Sequence, residues 1–215
     1  MRVLIVTGGI GSGKSTVCSM LSQAYGYPVY EADRRVKDLY LEHPSLLADI
    51  EEALGECFRN DDGVFQPARL ANRIFSDKSD LLKVEGLVFP ILTEDFFKWK
   101  EANSDKDCLV LESATILEKP SLLSLGDVVL VVDAPLQMRI ERAVKRDGVP
   151  EDTVRGRVAN QTLMNEISAG HIPDTVDFVI KNDCDIDTLA ERLKAFVTMS
   201  DKKEYNFINR LNDED

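Results

Sequence analysis

Histidine is nearly absent: His43 and His171 are the only two in 215 residues. A histidine-built metal cage or catalytic triad therefore has almost nothing to draw on. The four cysteines, Cys18, Cys57, Cys108 and Cys184, stand far apart, with no C-x-x-C pair and no neighbouring histidine. Reduced and mostly buried thiols of a cytoplasmic protein are the expectation. No apolar run approaches the ~18 residues that a membrane span needs. The opening Met1-Arg2-Val3-Leu4-Ile5-Val6-Thr7-Gly8 is too short in its apolar part for a signal peptide and reads as a first strand. A basic excess is missing as well. Lys and Arg number 26 against 38 Asp and Glu, a net charge of −12, which argues against the basic face of a nucleic-acid binder. A polyanionic ligand then requires a local basic site inside an acidic chain.

What is present is an ordinary globular composition, 44% hydrophobic and 30% charged, with room for one compact core and an insertion or two. Five runs rich in Val, Ile and Leu lie at 2–7, 28–31, 108–113, 127–133 and 176–181. Helical spacing predicts helices at 14–25, 33–41, 44–55, 67–76, 78–87, 90–102, 136–147, 151–165 and 185–198, with Pro90 opening one of them. Residues 57–66 read as a turn-bearing loop. Alternation of this kind is the signature of an α/β fold, a parallel sheet with helices on both faces. About 75 residues separate the second and third runs, far more than a crossover needs, and predict a helical insertion. A second insertion at 136–171 is dense in arginine, and residues 201–215 read as a C-terminal tail whose acidic end, Asn212-Asp213-Glu214-Asp215, is solvated.

One motif sets the class. Gly8-Gly9-Ile10-Gly11-Ser12-Gly13-Lys14-Ser15-Thr16 fits G-x-x-x-x-G-K-[ST] between a strand and a helix. Residues Gly9, Ile10, Gly11, Ser12, Gly13, Lys14, Ser15 and Thr16 are thus expected to cradle the phosphates of a nucleoside triphosphate. Glycines let successive N–H groups turn inward, and the helix start adds its positive end. Lys14 is expected to bridge the β- and γ-phosphates, and the Ser15 hydroxyl to ligate Mg²⁺. A guanine-reading N-K-x-D is absent, because Lys181-Asn182-Asp183 has the wrong order. Three further groups suit a kinase. Asp33, just past the second strand, is either a base for an attacking hydroxyl or a helix N-cap. Glu112, at the end of the third strand, is either a Mg²⁺ ligand or a structural acid. Arg139, Arg142 and Arg146 recur at one helical face, with Lys145, Arg155 and Arg157 nearby; they form either a solvated face or a lid over the phosphates.

With these residues in place, the chain resembles the dephospho-coenzyme A kinase family from about residue 2 to 196. The resemblance rests on Thr7 to Thr16, Ala32-Asp33, Val131-Val132-Asp133-Ala134-Pro135 followed by Arg142, Lys145-Arg146-Asp147-Gly148, Arg157-Val158-Ala159-Asn160-Gln161 and Asp177 to Asn182. It implies a five-stranded P-loop core at 1–31, 108–135 and 172–200, a helical acceptor-binding domain at 32–107 and a lid at 136–171. It implies phosphorylation by ATP of the 3′-hydroxyl of dephospho-coenzyme A, by a monomer or weak homo-oligomer. Asp33 would be the base, Lys14 the phosphate clamp, Arg142 and Arg146 lid residues, and Asn182 a neighbour of the adenine. The sequence departs from the family pattern at Glu31, at Phe89 before Pro90 where histidine is usual, and at Glu112-Ser113-Ala114-Thr115-Ile116-Leu117-Glu118, which lacks the usual proline. Other readings of the loop are a P-loop kinase for a nucleoside, nucleotide or sugar, a regulatory nucleotide switch, and a structural protein with a vestigial loop.

Overall fold

The computed structural model describes residues 1–201; the expected tail lies, from residue 202 on, outside the described residues. Five strands form one parallel sheet: β1 (Arg2–Thr7), β2 (Val29–Glu31), β3 (Cys108–Glu112), β4 (Val128–Asp133) and β5 (Phe178–Lys181), in the order β2-β3-β1-β4-β5. Central β1 pairs Leu4 with Val110 on one side and with Val128 on the other. Strands covered on both faces carry apolar residues at every position instead of alternating, and Val3 to Val6 and Val128 to Val132 are all buried. The chain leaves β1 at the point where the strand order reverses, which is where open parallel sheets bind their ligands.

The chain divides into two compact units, residues 1–29 with 105 onward, and residues 30–104. In the first unit α1 (Lys14–Tyr25) starts directly after the glycine loop and ends at Gly26, left-handed with φ 67°. Its Val17, Cys18 and Leu21 join Leu4, Val110, Leu130, Phe178, Leu193 and Phe196 in one buried core.

In the second unit α2 (Ala32–Glu42), α3 (Pro44–Leu54), α4 (Pro67–Ser76) and α5 (Lys78–Ala102) form a bundle. Pro44 and Pro67 open their helices, where the missing N–H has no helical partner to lose. Asp77 caps α5 by accepting from the amides of Ser79 at 2.7 Å and Asp80 at 3.3 Å. Residues 57–66 form the expected turn, with Arg59 bridged to Phe65 around Gly63. Pro90 corrects the prediction: α5 runs unbroken through it. The ring removes one N–H and crowds the carbonyl of Gly86, but Gly86 and Pro90 are both exposed, so water can take that carbonyl. On the other side Val84, Val88, Leu92 and Phe96 are buried at four-residue intervals, and this packing holds the helix through the defect.

The first unit resumes after β3 with a 3₁₀ turn (Ile116–Glu118) and the short α6 (Pro120–Leu123). Following β4 come α7 (Leu136–Asp147), α8 (Glu151–Ala159) and α9 (Thr162–Ser168); α10 (Ile186–Asp201) follows β5. The single helix expected at 151–165 is therefore two, broken at Asn160-Gln161. Ile140, Ala143, Val154 and Val158 pack α7 on α8 as a second small core.

Candidate active site

Between β1 and α1 the loop turns back on itself, Ser12 N–H donating to the Gly9 carbonyl at 3.1 Å. Gly11 and Gly13 have φ of 73° and 98°, a region that L side chains rarely adopt. Space forbids a side chain too, since a Cβ would strike the Arg139 backbone at Gly11 and the Asn182 amide at Gly13. Lys14 is the first residue of α1, so its ammonium and the helix N-terminus concentrate positive charge at one point. Its Nζ donates to the Gly8 carbonyl at 3.0 Å and faces the Glu112 carboxylate at 3.8 Å. Ser15 and Thr16 lie exposed in the same turn.

Behind the loop is a set of supports drawn from distant parts of the chain. Ile10, its one apolar residue, packs into the α7–α8 core. The Ile10 N–H donates to Gln161 Oε1 at 2.8 Å, and its carbonyl accepts from Arg139 Nε at 3.1 Å. Arg139 Nη2 donates to the same Gln161 oxygen at 3.2 Å, closing a ring of three bonds. Gln161 lies between α8 and α9, its backbone N–H donating to the Val158 carbonyl at 3.0 Å while its side chain holds the loop. After β5, Asn182 donates its backbone N–H to the Asp133 carbonyl at 2.6 Å and its side-chain amide to the Ser12 carbonyl at 2.7 Å. Arg142 Nη1 donates to the Asn182 carbonyl at 3.1 Å. Asp133, buried at the end of β4, accepts from Ser168 Oγ at 2.6 Å and Lys181 Nζ at 2.7 Å.

The structure thus gathers Gly9 to Thr16, Glu112, Arg142 and Asn182 around one loop. The arginines expected on one face have three different environments. Arg139 is buried against the loop, Arg142 is half-buried beside Asn182, and Arg146 is exposed. Arg146 donates through Nε and Nη2 to the Asp147 carboxylate at 2.6 and 3.1 Å, and Arg157 reaches the same carboxylate at 3.3 Å. Hydrogen bonding from Arg146 holds the Asp147 carboxyl below its ordinary range. Asp33 belongs to the second unit, exposed in the first turn of α2; the residue before that helix is Glu31, which makes no side-chain cap. The contact of Gln161 with the loop, and the burial of Arg139, are the parts of the site that the sequence did not reveal.

Among the described residues no group of three or more His, Cys, Asp or Glu side chains could hold a metal ion. Ser15 offers a hydroxyl at the start of α1, and Glu112 a carboxylate facing Lys14. This set fits Mg²⁺, which protein sites commonly hold by one or two carboxylates together with substrate phosphates and water.

The family model for dephospho-CoA kinase matches residues 2–188. Among curated proteins, a dephospho-CoA kinase of Porphyromonas gingivalis is 36% identical over 177 residues, covering 82% of this chain and 85% of that protein. One from Methylococcus capsulatus is 32% identical over 200 residues, covering 91% and 94%. Among solved structures, TT1252 from Thermus thermophilus superposes with a TM-score of 0.74 at 26% identity, covering 92% of this chain and 96% of that one. A dephospho-CoA kinase from Campylobacter jejuni, at 18% identity and a TM-score of 0.62 over 94% and 98% of the two chains, shares the fold. The loop, the supports that hold it and the match over nearly the whole chain agree: this protein belongs to the dephospho-CoA kinase family.

Proposed function

We propose that the protein transfers the γ-phosphoryl group of ATP to the 3′-hydroxyl of dephospho-coenzyme A, giving coenzyme A and ADP. The observation that carries this is Lys14 at the head of α1, its ammonium between the Gly8 carbonyl and Glu112, in a chain of this family. The phosphates lie along the loop N–H groups of residues 9 to 16, and Lys14 exchanges its present partners for the β- and γ-phosphate oxygens. Ser15 and Glu112 would hold Mg²⁺, which would supply positive charge against the charge that builds on the phosphates. Asp33 accepts the proton of the attacking hydroxyl; its support is its place two residues past β2 and the match of Ala32-Asp33 to the family pattern. As the new O–P bond forms, the bond from the γ-phosphorus to the bridging oxygen breaks, and ADP leaves with that electron pair.

Residues 32–107 are the acceptor-binding part and 136–171 the lid, from which Arg142 and Arg146 stabilise the transferring group. Asn182 borders the adenine in this reading; its support is the side-chain hydrogen bond to the Ser12 carbonyl in the loop. Among the described residues no helix is long and apolar enough to cross a membrane, and four cysteines scattered along the chain without a C-x-x-C pair suit a cytoplasmic enzyme. The test is ADP release, measured with MgATP across a panel of acceptors. Turnover dependent on dephospho-coenzyme A supports the reading, whereas turnover only with a nucleoside, a nucleotide or a sugar assigns another kinase activity.

A further inference from the structure

Arg139 is 1% exposed, the largest charged side chain sealed inside the described part of the molecule, and a buried guanidinium ordinarily has a carboxylate against it. Here it has none. Among the described residues Arg139 makes no ion pair, and its hydrogen bonds go to two neutral oxygens, the Ile10 carbonyl and Gln161 Oε1. Asp133 is near enough to act on its charge, but that carboxylate is already held by Lys181 at 2.7 Å and Ser168 at 2.6 Å. The cation lies directly against the phosphate loop. A Cβ at Gly9 would collide with its Nη2, and a Cβ at Gly11 with its backbone carbonyl. The guanidinium is therefore in direct contact with the backbone of the loop.

On the reading that this loop binds a nucleoside triphosphate, we propose that Arg139 is a buried counter-charge for the phosphates, acting through the loop without touching the ligand. Burial lowers its proton affinity, as it does for any cation taken from water, and a polyanion on the far side of the loop supplies the negative charge that the protein leaves out. The interior screens poorly, so the attraction persists across a peptide layer. Arg139 is a positioning residue in this scheme, distinct from Lys14, which contacts the phosphates. Its mark is dependence on ligand charge: the contribution grows from AMP to ADP to ATP. A residue that merely shapes the loop affects all three alike.

The test compares AMP, ADP and ATP affinities, by calorimetry, for the wild type, Arg139→Gln and Arg139→Lys. The glutamine side chain is neutral yet can still donate to the Ile10 carbonyl, whereas lysine keeps the charge and loses the fork. We expect Arg139→Gln to weaken ATP roughly tenfold or more and AMP by no more than about twofold, with Arg139→Lys retaining most of the wild-type gradient. Equal weakening of all three nucleotides by Arg139→Gln, or equal loss of the gradient in both variants, overturns the proposal in favour of loop shape. If Arg139→Gln does not fold, Arg139→Met replaces it; failure of both neutral variants to fold assigns the charge to the fold and also overturns the proposal. A wild-type protein that binds none of the three nucleotides refutes instead the underlying reading of the loop.

Discussion

Asn182 donates its side-chain amide to the carbonyl of Ser12 across 2.7 Å, in a buried contact that ties the end of β5 to the loop after β1. Ser12 is 1% exposed, so without this donor water cannot readily take its carbonyl. Asn182→Ala is expected to destabilise the protein by about 1–3 kcal/mol, the usual result of orphaning a buried acceptor. The loosened loop should raise KM for ATP more than it lowers kcat. Thermal denaturation and steady-state kinetics check both parts; unchanged stability with unchanged KM would show that the latch does not hold the loop.

Asp33→Asn separates catalysis from helix stability. The side chain is exposed in the first turn of α2, where a carboxylate stabilises a helix by only about 0.3–1 kcal/mol. Turnover should fall roughly 10²–10⁴-fold, the usual contribution of a positioned base, while ATP affinity and melting temperature stay nearly constant. A lower melting temperature with ordinary turnover would return Asp33 to a structural role.

The strands were legible in the sequence to within a residue or two, because a strand covered on both faces reads as an unbroken apolar run. The loop was legible because its chemistry is contiguous: glycines, Lys14 and Ser15 follow one another. One helical error comes from tertiary contacts that outweigh a local signal: packing of Val84 to Phe96 carries α5 through Pro90. The other, the break at Asn160-Gln161, has no glycine or proline to announce it in the sequence. Arg139 shows the same limit within the site. Arginine at intervals of three and four reads as a solvated face, and only its bond to Ile10, 129 positions away in sequence, reveals its burial.

Arg146 is engaged by Asp147 at 2.6 Å, so in the proposed lid role the carboxylate would compete with phosphate for it. Removing the charge in Asp147→Asn should tighten ATP binding modestly, within about fivefold, since an exposed ion pair rarely exceeds ~1 kcal/mol. Arg146→Ala should lower kcat on the order of 10²–10³-fold. Equal kinetics for wild type and Arg146→Ala would place this arginine outside the mechanism.

The second unit carries an acid-sensitive element. Arg35 Nε and Nη2 donate to Asp95 at 2.8 and 2.7 Å, and the Tyr30 hydroxyl donates to the same carboxylate at 2.6 Å. Hydrogen bonding from Arg35 is the main reason that the Asp95 carboxyl lies below its ordinary range. A carboxyl depressed in the folded state contributes stability that is complete above its unfolded pKa, near ~4. That contribution is lost as pH falls through the lower folded value. Melting temperature should therefore drop more steeply below pH ~4 for the wild type than for Asp95→Asn. The variant should itself be less stable at neutral pH by about 1.5–3 kcal/mol. Parallel pH profiles would show that Asp95 does not carry the effect.

The most direct measurement is mass spectrometry of the reaction product. The purified protein is incubated with dephospho-coenzyme A and MgATP labelled in the γ-phosphoryl group, and the product is fragmented to locate the label. The expected product is coenzyme A, one labelled phosphate heavier than its precursor and carrying it on the ribose 3′-oxygen, with no such product from Lys14→Ala. Label appearing only in inorganic phosphate, or on a different acceptor while dephospho-coenzyme A is left unchanged, would contradict the proposed transfer.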